Sequence, residues 1–370
     1  MPRGPENFVR DAWYVAGWDY EFGADQPQAR SILGEPIVLF RKNDGALVAL
    51  ADRCVHRHAP LSLGRIEDDH LRCLYHGLRF NADGRCVEIP GQEQIPSRAC
   101  VRSYPVVERG SWAWVWMGAP HAADPALMPP VRGFDDPAWV LESGQLDYDA
   151  PYHLINDNLL DLSHLAYVHA NSFGATTGWS SRPPVTTVID RGVRVERWVE
   201  GAPPVPPLPS LARHASVDLW VTYDFLVPGV FIMYTAMYPA GTASASNHGA
   251  PTGEQLFSNF TCQAVTPMTA HSSRTFFSWG PGAEFGGKEI ARQMIEVATV
   301  AFKEDKTIIE AQATIIASGP ALPMMPTAAD KAVALFQRIM DQLKPPSAGD
   351  ERAPAPVALA RSSPADGGFS

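Results

Sequence analysis

Positive charge is scarce in this chain. Lysine and arginine total 30 against 40 acidic residues, a net charge of −10, and charged residues make up only 19% of the 370 positions. That balance leaves no basic surface for nucleic acid and no polybasic stretch for an anionic membrane. No apolar run approaches the roughly 20 residues needed to span a bilayer. The N-terminal Met1-Pro2-Arg3-Gly4-Pro5 lacks the charged and apolar regions of a secretory signal, so a cytoplasmic location is expected. Cysteine is sparse too: five, an odd number, scattered over a long chain, which excludes a disulfide framework. There is no internal repeat. The length allows two domains, each with its own core.

The stretch Asp157-Asn158-Leu159-Leu160-Asp161-Leu162-Ser163-His164-Leu165-Ala166-Tyr167-Val168-His169 crowds carboxylates, an amide and two imidazoles among leucines. Asn158, Asp161 and His164 recur every three residues and drift slowly around one helix face. His164 and His169 are five apart, about 140° on an ideal helix, too far round to pinch a metal as an i, i+4 pair does. Either a π-bulge closes the gap or the helix ends between them.

Around this stretch the chain divides by pattern. Ile37-Val38-Leu39-Phe40, Asn43-Asp44-Gly45 and Leu47-Val48-Ala49-Leu50 predict a β-hairpin. Short strands and turns continue, and Trp112-Ala113-Trp114-Val115-Trp116 suits a strand packed on both faces. Residues from about 40 to 118 therefore read as a small all-β domain. A Pro- and Ala-rich connector over 119–140 is followed by a helix over about 151–169. Strands are expected at 183–199, 216–238 and 255–279, with a proline-dense loop or lid from Pro203 to Pro209. Two helices close the fold, one from about Lys288 to Gln312. The other opens with Thr327-Ala328-Ala329-Asp330, and Val333, Phe336, Ile339, Met340 and Leu343 form its apolar stripe. The tail beyond Pro345 reads as disordered.

Cys54-x-His56, a gap of sixteen residues, and Cys73-x-x-His76 make four metal ligands in two short clips. Two thiolates and two imidazoles also suit zinc, but zinc ribbons more commonly pair Cys with Cys in each clip. One Cys and one His per clip is what a Rieske [2Fe-2S] centre needs, with both Cys on one iron and both His on the other. Cys86, Cys100 and Cys262 have no clip partner and are assigned to the core.

Cys54-x-His56-Arg57, Cys73-x-Tyr75-His76-Gly77 and Asn158-x-x-Asp161-x-x-His164-x4-His169 together resemble the Rieske non-haem iron oxygenases, within them the group similar to the vanillate O-demethylase oxygenase subunit. Val55 and His58 depart from the pattern, where relatives often carry proline and an apolar or aromatic residue, but neither is a ligand. His58 is free to tune the cluster's surroundings or a docking surface. The resemblance implies an α+β protein: a Rieske domain over 1–120, a helix-grip catalytic domain over 121–345 and a disordered tail over 346–370. It also implies a mononuclear Fe(II) held by His164, His169 and a carboxylate on a later helix. Periodicity agrees, because Ile290, Met294, Val297, Ala301, Asp305 and Ile308 line one face of the 288–312 helix, where an unpaired carboxylate is costly to bury. Glu304 and Glu310 lie off that stripe; the competing reading pairs Asp305 with a buried arginine or a cap. By resemblance, Asp161 bridges the iron site to the Rieske histidines of a neighbouring subunit in a head-to-tail trimer. Asn158 either orients the same network or is a polar residue of the helix start.

The implied function is the terminal oxygenase of a multicomponent system. Electrons come from an NAD(P)H-dependent reductase or a ferredoxin, and O2 is used to hydroxylate or O-demethylate a methoxybenzoate-like aromatic. Ring or methyl hydroxylation and N-demethylation are the alternatives. A plain Rieske electron carrier is disfavoured by the His164/His169/Asp305 set, for which a carrier has no use. Tyr234, Met237, Asn259, Phe277 and Trp279 are candidate pocket residues.

Overall fold

A computed structural model describes residues 8–204, 211–320 and 322–344. The N-terminal part holds eleven short strands: β1 (Trp13–Trp18), β2 (Gln28–Ile32), β3 (Glu35–Arg41), β4 (Leu47–Ala51), β5 (Arg65–Glu67), β6 (His70–Arg72), β7 (Arg79–Phe80), β8 (Cys86–Glu88), β9 (Ser103–Tyr104), β10 (Val106–Arg109) and β11 (Trp112–Trp116). They form three antiparallel sheets, ordered β1-β11-β10, β2-β3-β4-β9 and β5-β6-β7-β8. The expected hairpin is β3–β4, and Gly45 (φ 88°) supplies the left-handed turn residue. All five residues of β11 are buried, as its aromatic alternation suggested. The all-β region starts earlier than residue 40, because β1 pairs with β11.

The C-terminal part is one antiparallel sheet of β12 (Glu142–Tyr148), β13 (Val185–Ile189), β14 (Gly192–Ala202), β15 (Val217–Leu226), β16 (Val230–Pro239), β17 (Phe257–Pro267) and β18 (Ser273–Pro281), ordered β12-β18-β17-β16-β15-β14-β13. Its helices are α1 (Tyr152–Leu160), α2 (Leu165–Val168), α3 (Gly178–Ser181), α4 (Thr242–Ala245), α5 (Lys288–Ser318) and α6 (Lys331–Leu343). Helix α5 crosses β12 and β18, while α6 lies on β13 and β14 with Phe336 packed edge-on against Phe225 at 4.7 Å. The Thr327/Asp330 capping box opens the turn into α6. Helix α5 runs past the expected end at Gln312 to Ser318, because no breaker intervenes before Gly319-Pro320.

The two parts are joined more tightly than separate cores would be. Leu33 and Gly34 donate backbone hydrogen bonds to Pro267 and Met268 (2.8 and 2.9 Å), and Thr266 Oγ1 donates to Val15 O (2.7 Å). One core runs from Tyr14, Ala16 and Leu39 through to Tyr223, Phe225 and Phe336. The Cys54 and Cys73 loops have their own small core, with Val38, Phe40, Leu71 and Phe80. Cys86 and Cys262 are buried as expected, but Cys100 is exposed: it lies in an isolated bridge to Arg85 just after the turn at Ser97 and Arg98, not in a strand interior. Of the expected lid, Pro203 and Pro204 are described and residues 205–210 lie outside the described residues, as does the expected tail over 346–370. Among the described residues no helix is long and apolar enough to cross a membrane.

Candidate active site

The helix expected over 151–169 breaks at Asp161. Its backbone leaves the helical region (φ −117°, ψ 94°) and its Oδ1 accepts from Ser163 N at 2.9 Å, so one residue ends α1 and caps the 3-10 turn Leu162–His164. Helix α2 then carries the chain one further turn to His169. The break removes the angular mismatch of a five-residue spacing and brings the two imidazoles to a centroid distance of 5.3 Å.

Across from them α5 presents Asp305, 4% exposed, in line with Met294, Ala298, Ala301 and Ile309. Ile308, placed on that stripe by the sequence, is instead 55% exposed: the step inward from Asp305 is four residues rather than three. Asp305 Oδ1 lies 3.4 Å from His164 Nε2 and 3.1 Å from His169 Nε2. One donor atom from each of the three residues falls within 4.8 Å of the others. Asn158 Nδ2 donates to the same Asp305 oxygen at 3.2 Å and sits 3.5 Å from His164 Nε2. Among the described residues no arginine pairs with Asp305.

Both imidazoles are held by their other nitrogen. His164 Nδ1 meets the carbonyl oxygen of Asp161 at 2.6 Å, and His169 Nδ1 meets Glu304 Oε2 at 2.8 Å. An acceptor on each Nδ1 puts the proton there and leaves both Nε2 lone pairs facing Asp305. Two imidazoles and one carboxylate on one side of a cavity fit the facial triad of non-haem Fe(II). Burial pulls the His164 pKa down against the opposing charge of Asp305. Burial also works to lower His169, but hydrogen bonds and charge from Asp305 and Glu304 outweigh it and raise its pKa.

Glu304 was assigned off the stripe, and so it is, with a third of its side chain exposed. Its role was nonetheless missed. Consecutive carboxylates on α5 bracket the two nitrogens of one ring, and Ser172 Oγ holds Glu304 Oε2 at 2.7 Å. Burial works to raise Glu304, but His169 and Ser172 together hold it below the usual range. Glu310 is turned away, accepting from Asp149 N and Lys306 Nζ at 2.7 and 2.6 Å. Within the chain, the backbone carbonyl of Asp161 takes the His164 N–H, while its carboxylate caps the following 3-10 turn.

A cavity of about 400 Å³ opens beside the triad, walled by α1, α5 and strands β15 to β18. Met237, Asn259 and Trp279 line it as expected. Tyr234 does not, because Met233, Thr235 and Met237 take the inward alternation of β16 and leave Tyr234 against Trp139 on the other face. Phe277 is covered by Phe302 of α5 at 4.7 Å.

The two N-terminal clips form matching loops. Cys54 N donates to Ala59 O and His58 N to Cys54 O; Cys73 N donates to Leu78 O and Gly77 N to Cys73 O. The fourth residue after each cysteine is left-handed, His58 at φ 57° and Gly77 at φ 74°. Both thiols are buried. Burial, with the neighbouring Cys73 thiol, pushes Cys54 up to about 11, so it needs a metal to become a thiolate. His56 and His76 stand exposed at the tip with ring centroids 4.5 Å apart. Desolvation, His56 and Arg57 hold His76 in its neutral, ligating form by lowering its pKa. Two buried sulfurs beneath two exposed imidazoles fit a Rieske [2Fe-2S] cluster.

Residues 12–105 match the Rieske [2Fe-2S] domain, and residues 148–344, more than half of the chain, match the vanillate O-demethylase oxygenase C-terminal domain. The chain belongs to the Rieske non-haem iron oxygenases. It is 38% identical over 339 residues to the toluene-4-sulfonate monooxygenase system iron-sulfur subunit TsaM1 of Comamonas testosteroni, covering 91% of this chain and 97% of that one. It is 31% identical over 364 residues to the vanillate O-demethylase oxygenase subunit of a Pseudomonas strain, covering 96% and 99%. The crystal structure of dicamba monooxygenase bound to dicamba superposes with a TM-score of 0.78 at 32% identity, covering 91% of this chain and 98% of that one. Another structure of that enzyme, at 29% identity and a TM-score of 0.71, holds non-heme iron with dicamba. This Rieske oxygenase is therefore an oxidoreductase carrying a [2Fe-2S] cluster and a mononuclear iron. It is the terminal component of a system that needs a reductase or ferredoxin.

Proposed function

We propose that Cys54, His56, Cys73 and His76 hold the cluster and that His164, His169 and Asp305 hold the iron. The substrate is a small aromatic bound in the adjoining cavity and hydroxylated there, a methoxyarene being O-demethylated. The convergence of His164, His169 and Asp305 on the wall of an apolar cavity of about 400 Å³ carries this reading. When bound, the cluster passes single electrons and the iron activates O2 beside the substrate carbon. The chain's own residues set the geometry. Asn158 and the two Nδ1 acceptors fix the ligand orientations, Phe231 and Met233 exclude water, and Asp305 supplies the charge that a cation needs. A hydroxylated O-methyl group is a hemiacetal, which collapses to a phenol and formaldehyde. Ring or methyl hydroxylation and N-demethylation would use the same residues.

The polypeptide divides near residue 120, between the trio of sheets and the large sheet. Asp161 joins the iron site to the Rieske histidines of the next subunit of a homotrimer. Exposed His56 and His76 support this, since a cluster at the tip of two loops is presented outward, where a neighbouring copy can meet it. The protein acts in the cytoplasm, drawing electrons from an NAD(P)H-dependent reductase or a ferredoxin. The test couples the purified protein to such a reductase and measures O2 uptake and formaldehyde release over a panel of methoxyarenes. Stoichiometric formaldehyde with one panel member is expected. O2 uptake yielding only peroxide with every member, or no uptake from a reduced cluster, would contradict the reading.

A further inference from the structure

Arg197 rises from an apolar face of β14. It is 6% exposed, among Val195 and Val199 of its own strand and Val221 and Tyr223 of β15, all of them buried. Its Nη1 donates to the Trp179 carbonyl at 2.6 Å, and its guanidinium stands over the Trp179 ring at 5.9 Å. Its Nε is buried without a partner, and among the described residues no carboxylate forms an ion pair with it. A guanidinium taken out of water without a counter-charge is costly, and one hydrogen bond to a carbonyl does not offset that.

The surrounding contacts lead to the break between α1 and the turn that follows it. Tyr223, diagonal to Arg197 across the β14–β15 pair, donates its hydroxyl to the Leu160 carbonyl at 2.8 Å. Trp179 belongs to α3, which packs against both β14 and the 3-10 turn Leu162–His164. Tyr223 therefore holds the residue before Asp161, and Arg197 holds the helix packed on the turn after it. Burial works to lower the Arg197 pKa, and the charges that oppose it are those of Tyr223 and Asp161; Asp161 acts on Tyr223 as well. Asp161 Oδ1 is taken by Ser163 N, and Oδ2 has no hydrogen bond among the described residues.

We infer that Arg197 is a positioning residue for electron transfer between subunits: its buried guanidinium is the counter-charge of Asp161 and holds that carboxylate where it bridges the iron site to the next subunit's cluster. The inference rests on the proposed role of Asp161 and adds the group that keeps it in place. Without Arg197 the carboxylate is held by Ser163 N alone. The competing role is a plain clamp on Trp179, whose ring lines the cavity.

The test follows one electron. In holoenzyme the mononuclear iron is first oxidised to Fe(III) with hydrogen peroxide, and a pulse of photoreductant then delivers an electron to the cluster. As the cluster is reoxidised the iron becomes Fe(II), read by freeze-quench as loss of the ferric EPR signal. Cys54→Ala protein, which lacks the cluster, gives the rate of direct iron reduction to subtract. Arg197→Gln keeps a donor for the Trp179 carbonyl and removes the charge; it should slow the transfer about tenfold or more. Arg197→Lys keeps the charge and should stay within about threefold of wild type.

Thermal unfolding of the same holoenzymes separates a counter-charge from a clamp. Asp161→Asn leaves the buried guanidinium uncompensated and should melt below wild type, and adding Arg197→Gln should raise the melting temperature again. A clamp on Trp179 would lower it further. Cluster absorbance and iron content identify a variant that fails to fold, in which case Arg197→Met replaces the glutamine variant. Wild-type transfer in Arg197→Gln, a lysine variant as slow as the glutamine one, or a double variant melting below Asp161→Asn would each overturn the inference. Wild-type transfer in Asp161→Asn would sink the bridge itself. Slow transfer there beside normal transfer in Arg197→Gln would leave the bridge standing and remove only Arg197.

Discussion

Replacing Glu304 by alanine removes the acceptor of the His169 Nδ1–H, and among the described residues no second acceptor is bonded to that nitrogen. His169 is 1% exposed, so the orphaned N–H is not recovered by bulk water. Leaving a buried donor unpaired costs about 1–3 kcal/mol. The imidazole also becomes free to rotate or to change tautomer, which turns a protonated nitrogen toward Asp305. Loss of such a hydrogen bond to a metal-bound histidine weakens metal affinity about 10- to 100-fold, which is about 1.4–2.7 kcal/mol. Glu304→Gln keeps an oxygen acceptor in nearly the same place and sheds only the charge, so its loss should stay under about tenfold. Anaerobic titration of apoprotein with Fe(II) against a competing chelator reads both numbers, with the cluster spectrum as a control for folding. An alanine variant that binds iron as tightly as the wild type would refute the reasoning, as would a glutamine variant that binds it as weakly as alanine.

The remaining predictions concern the cluster, the subunit bridge and pH. Cys54→Ala should abolish the visible cluster absorbance and leave the catalytic sheet folded and able to bind iron, because the clip loops pack on their own small core; simultaneous loss of iron binding would contradict this. Asp161→Asn should keep both metals and a reducible cluster while product formation falls by orders of magnitude. Mixed oligomers of Cys54→Ala and His164→Ala subunits should regain activity, and inactive mixtures with intact metals would place electron transfer within one chain. The raised His169 pKa makes its proton stabilising in the metal-free protein: the contribution is full below about 6.5, its unfolded value, and is lost as pH rises through the raised folded value. Iron must displace that proton, so Fe(II) affinity should fall as pH drops through a midpoint above about 6.5; affinity flat across that range would contradict the shift.

Much of this is legible in the sequence, and the reason is locality. The clips Cys54/His56 and Cys73/His76 are fixed by spacing within single loops, so sequence order carries their geometry. His164 and His169 were legible as a pair, and the break between α1 and α2 was one of two outcomes that a five-residue spacing allowed. Asp305 stood out because a carboxylate in an apolar stripe needs a partner. Glu304 did not, because a polar residue off the stripe looks like solvent-facing surface until the position of His169 is known. The cavity floor was equally hidden. Strands β16 and β17 are buried on both faces, so alternation sorts Tyr234 from Met233 and Met237 without saying which set faces the iron.

The central claim is that one chain carries a cluster on its first four ligands and a separate catalytic iron on His164, His169 and Asp305. Metal analysis of the purified wild type and of Asp305→Ala, paired with turnover, tests it most directly. The wild type should hold about three irons and about two sulfides per chain. Asp305→Ala should lose the one mononuclear iron and all product formation while keeping the sulfide and a donor-reducible Rieske spectrum. Full iron content with retained turnover in that variant would show that Asp305 is not the third ligand and that another carboxylate completes the site.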